Sequence, residues 1–176
     1  PEQLAANCNV ILTCVSADLD LLDVVEQLLP GVKAGSVLVD TSTVSPATAN
    51  RVAGSLQKAG AGFVDAPVSG GVEGAKKGTL SVMAGGDSAN ISRIMPVLEA
   101  ISTTVTHMGP VGSGQATKAV NQVMIAGIAE AVCEALALAE KLNLPSERLL
   151  SVVSAGAARS WFLERRGQTM LDSSFD

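Results

Sequence analysis

The sequence has 176 residues and a formal charge of −5, with 12 Lys and Arg residues against 17 Asp and Glu residues. It therefore lacks the basic footprint of a nucleic-acid-binding protein, and we expect no nucleic-acid partner. Apolar residues make up 47% of the chain and aromatic residues only 2%, which suits packed helices and a buried parallel sheet.

The first part of the chain alternates short apolar runs with helical segments. Strands are predicted over residues 9–15, 36–40 and 62–65, and helices over residues 18–29, capped by Asp18, and 45–60, capped by Ser45 before Pro46. Helices of about a dozen residues between buried strands favour a parallel sheet with helices on both faces.

The rest of the chain loses its strand pattern after residue 110. Strands are predicted over residues 79–84 and 103–107, and helices over residues 88–99, 115–142, 146–154 and 159–170. We therefore predict an α/β domain over residues 1–110, followed by a long helix and the start of an all-helical domain over residues 111–176.

The long helix, residues 115–142, contains no proline and would be on the order of 40 Å long. Its apolar residues surround the axis, which predicts burial on most sides and a helix that crosses between two domains. Charged residues at Lys118, Glu130 and Glu134 interrupt the apolar run. For that reason we predict no membrane span and no membrane partner.

The cysteines are odd in number and show neither CxxC spacing nor a disulfide framework. Cys8, Cys14 and Cys133 lie in apolar surroundings. This predicts reduced core residues in a cytoplasmic protein, and no metal site is expected.

A ligand cleft is expected beyond the carboxyl ends of the parallel strands. The segments at those positions are residues 15–16, 40–43 and 66–71, which are polar or rich in glycine. Such segments suit a nucleotide or a small acid, although solvation alone also explains polar loops.

Two groups of residues could carry chemistry in this cleft. Ser69-Gly70-Gly71 could turn backbone N–H groups and a hydroxyl toward a carboxylate, or could simply form a tight turn. Lys118 shares a helical stripe with Asn121 and Gln122. Its ammonium could exchange a proton with a substrate oxygen, or could extend to the surface.

Two further features are interpreted without a catalytic role. His107 ends a strand and has no carboxylate partner in the sequence pattern, which predicts a structural histidine. Residues 112–117 imitate a dinucleotide-binding glycine motif, but the following helix is too long for a βαβ crossover and the third glycine is a threonine. We therefore do not assign them as a pyrophosphate loop.

Two long motifs resemble the internal signatures of the β-hydroxyacid dehydrogenases, which include 3-hydroxyisobutyrate dehydrogenase and 2-hydroxy-3-oxopropionate (tartronate semialdehyde) reductase. They are DAPVSGGVEGAKKGTLSVMAGG at residues 65–86 and GSGQATKAVNQ at residues 112–122. The resemblance implies a Rossmann domain that binds NAD or NADP, a long interdomain helix, and an all-helical domain that assembles dimers or tetramers.

The resemblance also implies roles for residues at matching positions. Lys118 matches the catalytic lysine. The remaining matches are substrate-binding Ser69, Gly70, Gly71, Asn121 and Gln122, and cofactor-side Val15, Ser16 and Thr43. Gln122 stands where some family members have a second asparagine.

The predicted function is transfer of a hydride between NAD(P) and a short 3-hydroxy acid or its semialdehyde, with Lys118 as general acid and base. The alternatives are a relative of 6-phosphogluconate dehydrogenase and a non-catalytic binding or assembly module of the same fold. The resemblance further suggests a fragment that lacks the glycine-rich first βαβ unit and the C-terminal end.

Overall fold

The computed structural model describes residues 1–174, and the chain forms two compact units that meet between Ala119 and Val120 in the sequence. The first unit contains α1 (Glu2–Asn7), β1 (Val10–Thr13), α2 (Asp18–Leu28), β2 (Val37–Asp40), α3 (Pro46–Lys58), β3 (Gly62–Asp65), β4 (Val68–Ser69), α4 (Gly71–Lys77), β5 (Leu80–Gly86), α5 (Ser88–Glu99) and β6 (Ser102–Gly109). The long helix α6 (Ser113–Lys141) begins in the first unit, and the second unit continues with α7 (Ser146–Ala155) and α8 (Trp161–Leu171). The functional roles predicted for residues 1–110 and 111–176 stay predictions.

The six strands form one mainly parallel sheet, which confirms the predicted α/β class. The strand order is β1-β2-β3-β5-β4, and β6 pairs with β5. β1, β2 and β3 run parallel, as do β5 and β6, whereas β5 is antiparallel to β3 and β4. The antiparallel pairs were not predicted. The segment between β4 and β5, residues 70–79, is too short for a parallel crossover, which needs about a dozen residues.

Helices cover both faces of the sheet because successive side chains of a strand point to opposite sides. Leu38 and Phe63 pack into a core with α2 and α3. Their strand neighbours Val37, Val39 and Val64 pack into a second core with α5. The strands are therefore buried on both sides, as their continuous apolar runs predict.

The capping predictions for α2 and α3 had different outcomes. Ser45 caps α3 as predicted, because its side chain accepts a hydrogen bond from the Thr48 N–H. The prediction for Asp18 was wrong, since Ala17 is the N-cap of α2. The Asp18 carboxylate instead accepts hydrogen bonds from the Ser45 N–H and hydroxyl and from the Thr48 hydroxyl, so it supports the start of α3.

Two expectations about burial were also wrong. Cys8 is half-buried, but Cys14 and Cys133 are exposed, and all three are free thiols. The long helix α6 is not buried on most sides, since Val123 is 75% exposed and Met124 is 62% exposed. The side of α6 that carries Val132 and Leu136 packs into a buried apolar cluster with α7 and α8.

One helix in the described part of the chain, α6, is long and apolar enough to span a membrane by length and composition. The core helix of a water-soluble protein meets the same criterion. The absence of a membrane partner therefore stays a prediction.

Replacement of Asp18 by Asn should remove a pH-dependent contribution to stability. Hydrogen bonds from Thr48 and then Ser45 lower the pKa of Asp18 from 3.8 to about 2. Because the pKa is lower in the folded state, the contribution is fully present above the unfolded-state pKa and is lost as the pH falls toward about 2. In urea unfolding at a series of pH values, the difference between wild type and Asp18→Asn should be constant above about pH 5 and shrink below about pH 4.

The matched control is Asp20→Asn, which removes the same charge from an exposed position in the first turn of α2. This variant should keep the wild-type pH dependence in that range. An Asp18→Asn difference that does not change between pH 6 and pH 3 would contradict the role assigned to the carboxylate.

Candidate active site

The first three strands end in a row of polar residues. Thr13, Asp40 and Asp65 are in-register partners at the carboxyl ends of β1, β2 and β3. Both carboxylates are fully buried. Buried carboxylates are stable only with hydrogen-bond donors around them, so the donors define how this edge of the sheet is organised.

Asp40 connects two loops at this edge. Its Oδ1 accepts hydrogen bonds from the Thr13 hydroxyl (2.9 Å) and the Ser42 hydroxyl (2.6 Å). The Ser42 Oγ also accepts a hydrogen bond from the Val15 N–H (2.8 Å). Burial raises the pKa of Asp40, and the hydrogen bonds from Ser42 and Thr13 oppose that change.

The predicted cofactor-side residues lie on these two connected loops. Val15 follows β1 and is half-buried, while Ser16 and Thr43 are exposed. The Ser42 side chain holds the loop after β1 against the loop after β2. The structure thus brings the three positions to one edge of the sheet, and their role in cofactor binding stays a prediction.

Asp65 holds the beginning of the long helix α6. Its two carboxylate oxygens accept hydrogen bonds from the backbone N–H groups of Gly112 (2.8 Å) and Gln115 (2.9 Å). These N–H groups belong to the positive end of the helix dipole, which favours a negative charge. Burial raises the pKa of Asp65, and these backbone hydrogen bonds oppose the rise.

Two glycines allow α6 to approach the strands this closely. A Cβ atom on Gly114 would lie 2.3 Å from the Met83 carbonyl oxygen, and one on Gly85 would lie 2.6 Å from the Asp65 carboxylate. Neither distance is compatible with a side chain. Within the 112–117 segment, Gly114 therefore serves helix–strand packing at this position.

Lys118 lies one turn into α6 and is buried, with 9% of the residue exposed. Its Nζ donates a hydrogen bond to the Val68 carbonyl oxygen at 2.9 Å. The surface-extended lysine considered from the sequence is therefore not what the structure shows. Burial lowers the pKa of Lys118 from its ordinary value of 10.5, because the charged form loses solvation.

The Ser69-Gly70-Gly71 segment follows the carbonyl group that Lys118 contacts. Ser69 ends the short strand β4, and Gly71 begins α4. Gly70 and Gly71 have φ values of 134° and 63°, which favour glycine. Within residues 1–174, the Ser69 hydroxyl makes no hydrogen bond to the protein, so it is free to meet a ligand.

The other two predicted substrate-binding residues belong to the second unit. Asn121 is half-buried and donates a hydrogen bond through its Nδ2 to the Gln122 Oε1 at 2.9 Å. Gln122 is exposed. Their contact with substrate stays a prediction.

His107 has the structural environment that the sequence suggested. Its Nε2 lies 3.0 Å from the Gly86 carbonyl oxygen and 2.9 Å from the Gly109 carbonyl oxygen. Since both neighbours are acceptors, we assign the ring proton to Nε2. The histidine links β5 to the end of β6 and lacks a carboxylate partner among the hydrogen bonds of the described residues.

Comparison with known families accounts for almost the whole chain. Residues 1–109 match the NAD binding domain of 6-phosphogluconate dehydrogenase. Residues 112–176 match a family described as NAD-binding of NADP-dependent 3-hydroxyisobutyrate dehydrogenase. The chain belongs to the β-hydroxyacid dehydrogenase family. Members of this family are NAD(P)-dependent oxidoreductases, and the partial Rossmann fold predicted from the sequence is confirmed.

Three relatives illustrate the similarity within the β-hydroxyacid dehydrogenases. 2-Hydroxy-3-oxopropionate reductase from Escherichia coli is 39% identical over 81% of this chain and 49% of its own length. The crystal structure of 3-hydroxyisobutyrate dehydrogenase from Salmonella typhimurium is 31% identical, with a TM-score of 0.89 over 99% of this chain and 62% of its own. The structure of Psf3 in complex with NADP+ and 2-OPP is 26% identical, with a TM-score of 0.92 over 100% of this chain and 64% of its own.

The chain spans 60–62% of the length of three other curated relatives, which are 35–40% identical to it. The activity, substrates and partners of the whole protein are therefore proposals.

The sequence pattern placed Asp40 in a predicted cleft segment, but it assigned no individual role to the three residues that organise this edge of the sheet: Asp40, Asp65 and Gln115. A sequence signal for the two aspartates was present, because each ends a continuous apolar strand. Gln115 carried no comparable signal, since a glutamine in the first turn of a helix is ordinary. Its importance comes from contacts with residues more than 70 positions away.

Replacement of Gly114 by Ala should destabilise the protein. The new Cβ would lie 2.3 Å from the Met83 carbonyl and 2.7 Å from the Asp65 carbonyl, and backbone atoms cannot rotate away. We expect the free energy of unfolding to fall by about 1–3 kcal/mol, as for other overpacked sites. Urea unfolding of the full-length protein would measure this loss.

Gly54→Ala is the matched control, since Gly54 lies inside α3 and a Cβ there meets no atom within 4 Å. This variant should gain about 0.5–1 kcal/mol, because alanine favours the helix. Equal stability of Gly114→Ala and the wild type would show that α6 does not pack against the strands as described.

Proposed function

We propose that the full-length protein is an NAD(P)-dependent oxidoreductase that transfers a hydride between nicotinamide and a short 3-hydroxy acid or its semialdehyde. The observation that carries this proposal is the buried amine of Lys118, held at 2.9 Å from the Val68 carbonyl. The three residues that follow Val68 in the chain are Ser69, Gly70 and Gly71. A proton donor and a prospective carboxylate-binding segment therefore adjoin each other.

Lys118 would exchange the proton of the substrate oxygen. In the oxidation direction, the neutral amine takes the proton from the hydroxyl group while the carbon loses a hydride. In the reduction direction, the ammonium returns a proton to the developing alkoxide. Burial supports both directions, because it lowers the pKa of Lys118 toward the range in which both forms are populated.

Ser69, Gly70 and Gly71 would hold the substrate carboxylate. The two glycines adopt positive φ values, so this segment can turn backbone N–H groups toward an anion in a way that other residues rarely permit. The Ser69 hydroxyl would add a further donor. Asn121 would orient Lys118 or the substrate, with Gln122 beside it in the sequence.

The carboxyl edge of the parallel strands fits a nicotinamide cofactor. The loops carrying Val15, Ser16 and Thr43 are tied together through Ser42, and two of these three residues are exposed there. Loops at this edge are where open α/β sheets bind nucleotides. Val15, Ser16 and Thr43 would contact the cofactor, which accepts or supplies the hydride when bound.

The relatives support the substrate class. The names of the Escherichia coli and Salmonella typhimurium proteins refer to a 2-hydroxy-3-oxopropionate reductase and a 3-hydroxyisobutyrate dehydrogenase. Both substrates are short acids, and the match to the 3-hydroxyisobutyrate dehydrogenase family includes Lys118 and the long helix. This favours a short hydroxy acid over a phosphorylated sugar acid. Assembly into a homodimer or homotetramer, a cytoplasmic location, and the absence of nucleic-acid and membrane partners remain predictions.

Lys118→Ala in the full-length enzyme should lower kcat by about 10²–10⁴, the usual contribution of a general acid or base. In the oxidation direction, wild-type kcat/KM should rise with pH as Lys118 loses its proton, with a midpoint below 10.5. In the Lys118→Ala variant, this rise of kcat/KM with pH should be absent. Absorbance of NAD(P)H over a panel of short 3-hydroxy acids would measure both effects.

Lys58→Ala is the control, since Lys58 is an exposed residue in the last turn of α3. It should retain wild-type rates and the wild-type pH profile. Normal turnover in Lys118→Ala would remove Lys118 from the mechanism and with it the proposed reaction.

Ser69→Ala should weaken substrate binding more than it slows the chemical step. Loss of a hydrogen bond to a charged carboxylate predicts a KM increase of about tenfold to a hundredfold, with kcat within about threefold of wild type. Steady-state kinetics with a saturating cofactor would separate the two constants. An unchanged KM would exclude Ser69 from carboxylate binding.

A further inference from the structure

We propose that Gln115, anchored by Asp65, is a positioning residue that fixes Lys118 relative to the cofactor-side loop. This inference rests on the proposed function, because it assigns a consequence to the position of the Lys118 amine. Gln115 and Asp65 do not touch the reacting atoms. The family resemblance assigns no role to either residue.

Both the Nε2 and the Oε1 atoms of the Gln115 side chain make hydrogen bonds in the buried interior. Gln115 is 1% exposed. Its Nε2 donates to the Ser42 carbonyl at 2.8 Å, and its Oε1 accepts from the Val44 N–H at 3.1 Å. A neutral amide matches these two partners, since the Ser42 carbonyl needs a donor and the Val44 N–H needs an acceptor.

The backbone of the same residue is held at a second point. The Gln115 N–H donates to the Asp65 carboxylate at 2.9 Å, and Gly112 donates to the other oxygen of that carboxylate. Gln115 is therefore attached to the end of β3 through its backbone and to the loop after β2 through its side chain. Two attachments in different directions restrict both translation of the helix start and its rotation about the helix axis.

Lys118 follows Gln115 by three residues of continuous helix, about 4.5 Å along the axis. A helical turn transmits displacement because its hydrogen bonds keep it rigid. The loop held by Gln115 includes Ser42, whose hydroxyl accepts from the Val15 N–H. Gln115 therefore sets the separation between the amine and the loops expected to meet the cofactor. An error of about 1 Å in such a separation can cost about a hundredfold in rate.

Gln115→Glu in the full-length enzyme would test this role through pH. A protonated glutamic acid reproduces both contacts, because its O–H can donate to the Ser42 carbonyl and its C=O can accept from Val44. The ionised form has no donor and places a negative charge against the Ser42 carbonyl. We expect the ratio of variant kcat to wild-type kcat to fall at least tenfold between pH 5 and pH 8, while the cofactor Kd stays within about threefold.

Two further variants complete the experiment. Gln57→Glu makes the same chemical change on the exposed surface of α3 and should give a ratio that does not vary with pH. Gln115→Met removes both hydrogen bonds at every pH and should lower kcat by about tenfold to a hundredfold without a pH-dependent ratio. Thermal unfolding at each pH confirms that the variants are folded at the assay temperature.

The outcomes separate this inference from the proposed function. Wild-type kcat in folded Gln115→Met, which lacks both hydrogen bonds at every pH, would overturn the positioning role. Loss of the folded state in both Gln115 variants would also overturn it, because Gln115 would then act on stability alone. Neither result would touch the role of Lys118, which is decided by Lys118→Ala.

Discussion

A buried carboxylate at the start of a long helix organises this molecule. Asp65 ends β3 and accepts hydrogen bonds from the backbone N–H groups of Gly112 and Gln115, so a fully buried carboxyl group meets the positive end of α6. The strand supplies the acceptor, and the helix supplies donors that have no partner within the helix. The contact requires glycine at positions 85 and 114, because a side chain at either would occupy the space where helix and strands meet.

From this contact, polar connections extend across the edge of the sheet. Gln115 reaches the loop after β2, and Ser42 in that loop reaches Asp40 and the loop after β1. The contacts of Gln115 with Ser42 and of Ser42 with Val15 join segments that are 73 and 27 residues apart in the sequence, and the contact of Ser42 with Asp40 is local. Buried polar groups specify one arrangement because any other arrangement leaves them unpaired. The Lys118 amine therefore occupies one position relative to the strand ends.

The fold was largely predictable because its elements have local causes. Continuous apolar runs identified the parallel strands, and Ser45 before Pro46 identified the start of α3. Helix formers without a proline identified α6. The short elements β4 and α4 were missed because Gly70, Gly71 and Gly78 suggest a loop, and only pairing with β5 stabilises the strand.

The candidate site was less predictable for a physical reason. Lys118 was recognised because lysine is rarely buried without a partner. Its partner is a backbone carbonyl 50 residues away, and no residue type signals a carbonyl acceptor. Asp65 and Gln115 act through tertiary contacts, which periodicity along the chain does not encode. A local pattern can therefore identify the reactive group but not the framework that holds it.

The shared level at which β1, β2 and β3 end constrains how the chain can change in length during evolution. One residue inserted within any of these strands would exchange its two faces, since side chains alternate along a strand. It would also move Thr13, Asp40 or Asp65 out of the common row. Insertions and deletions in descendants of this sequence should therefore accumulate in surface connections, such as the turn around Lys33 to Gly35, and be purged from the strands themselves.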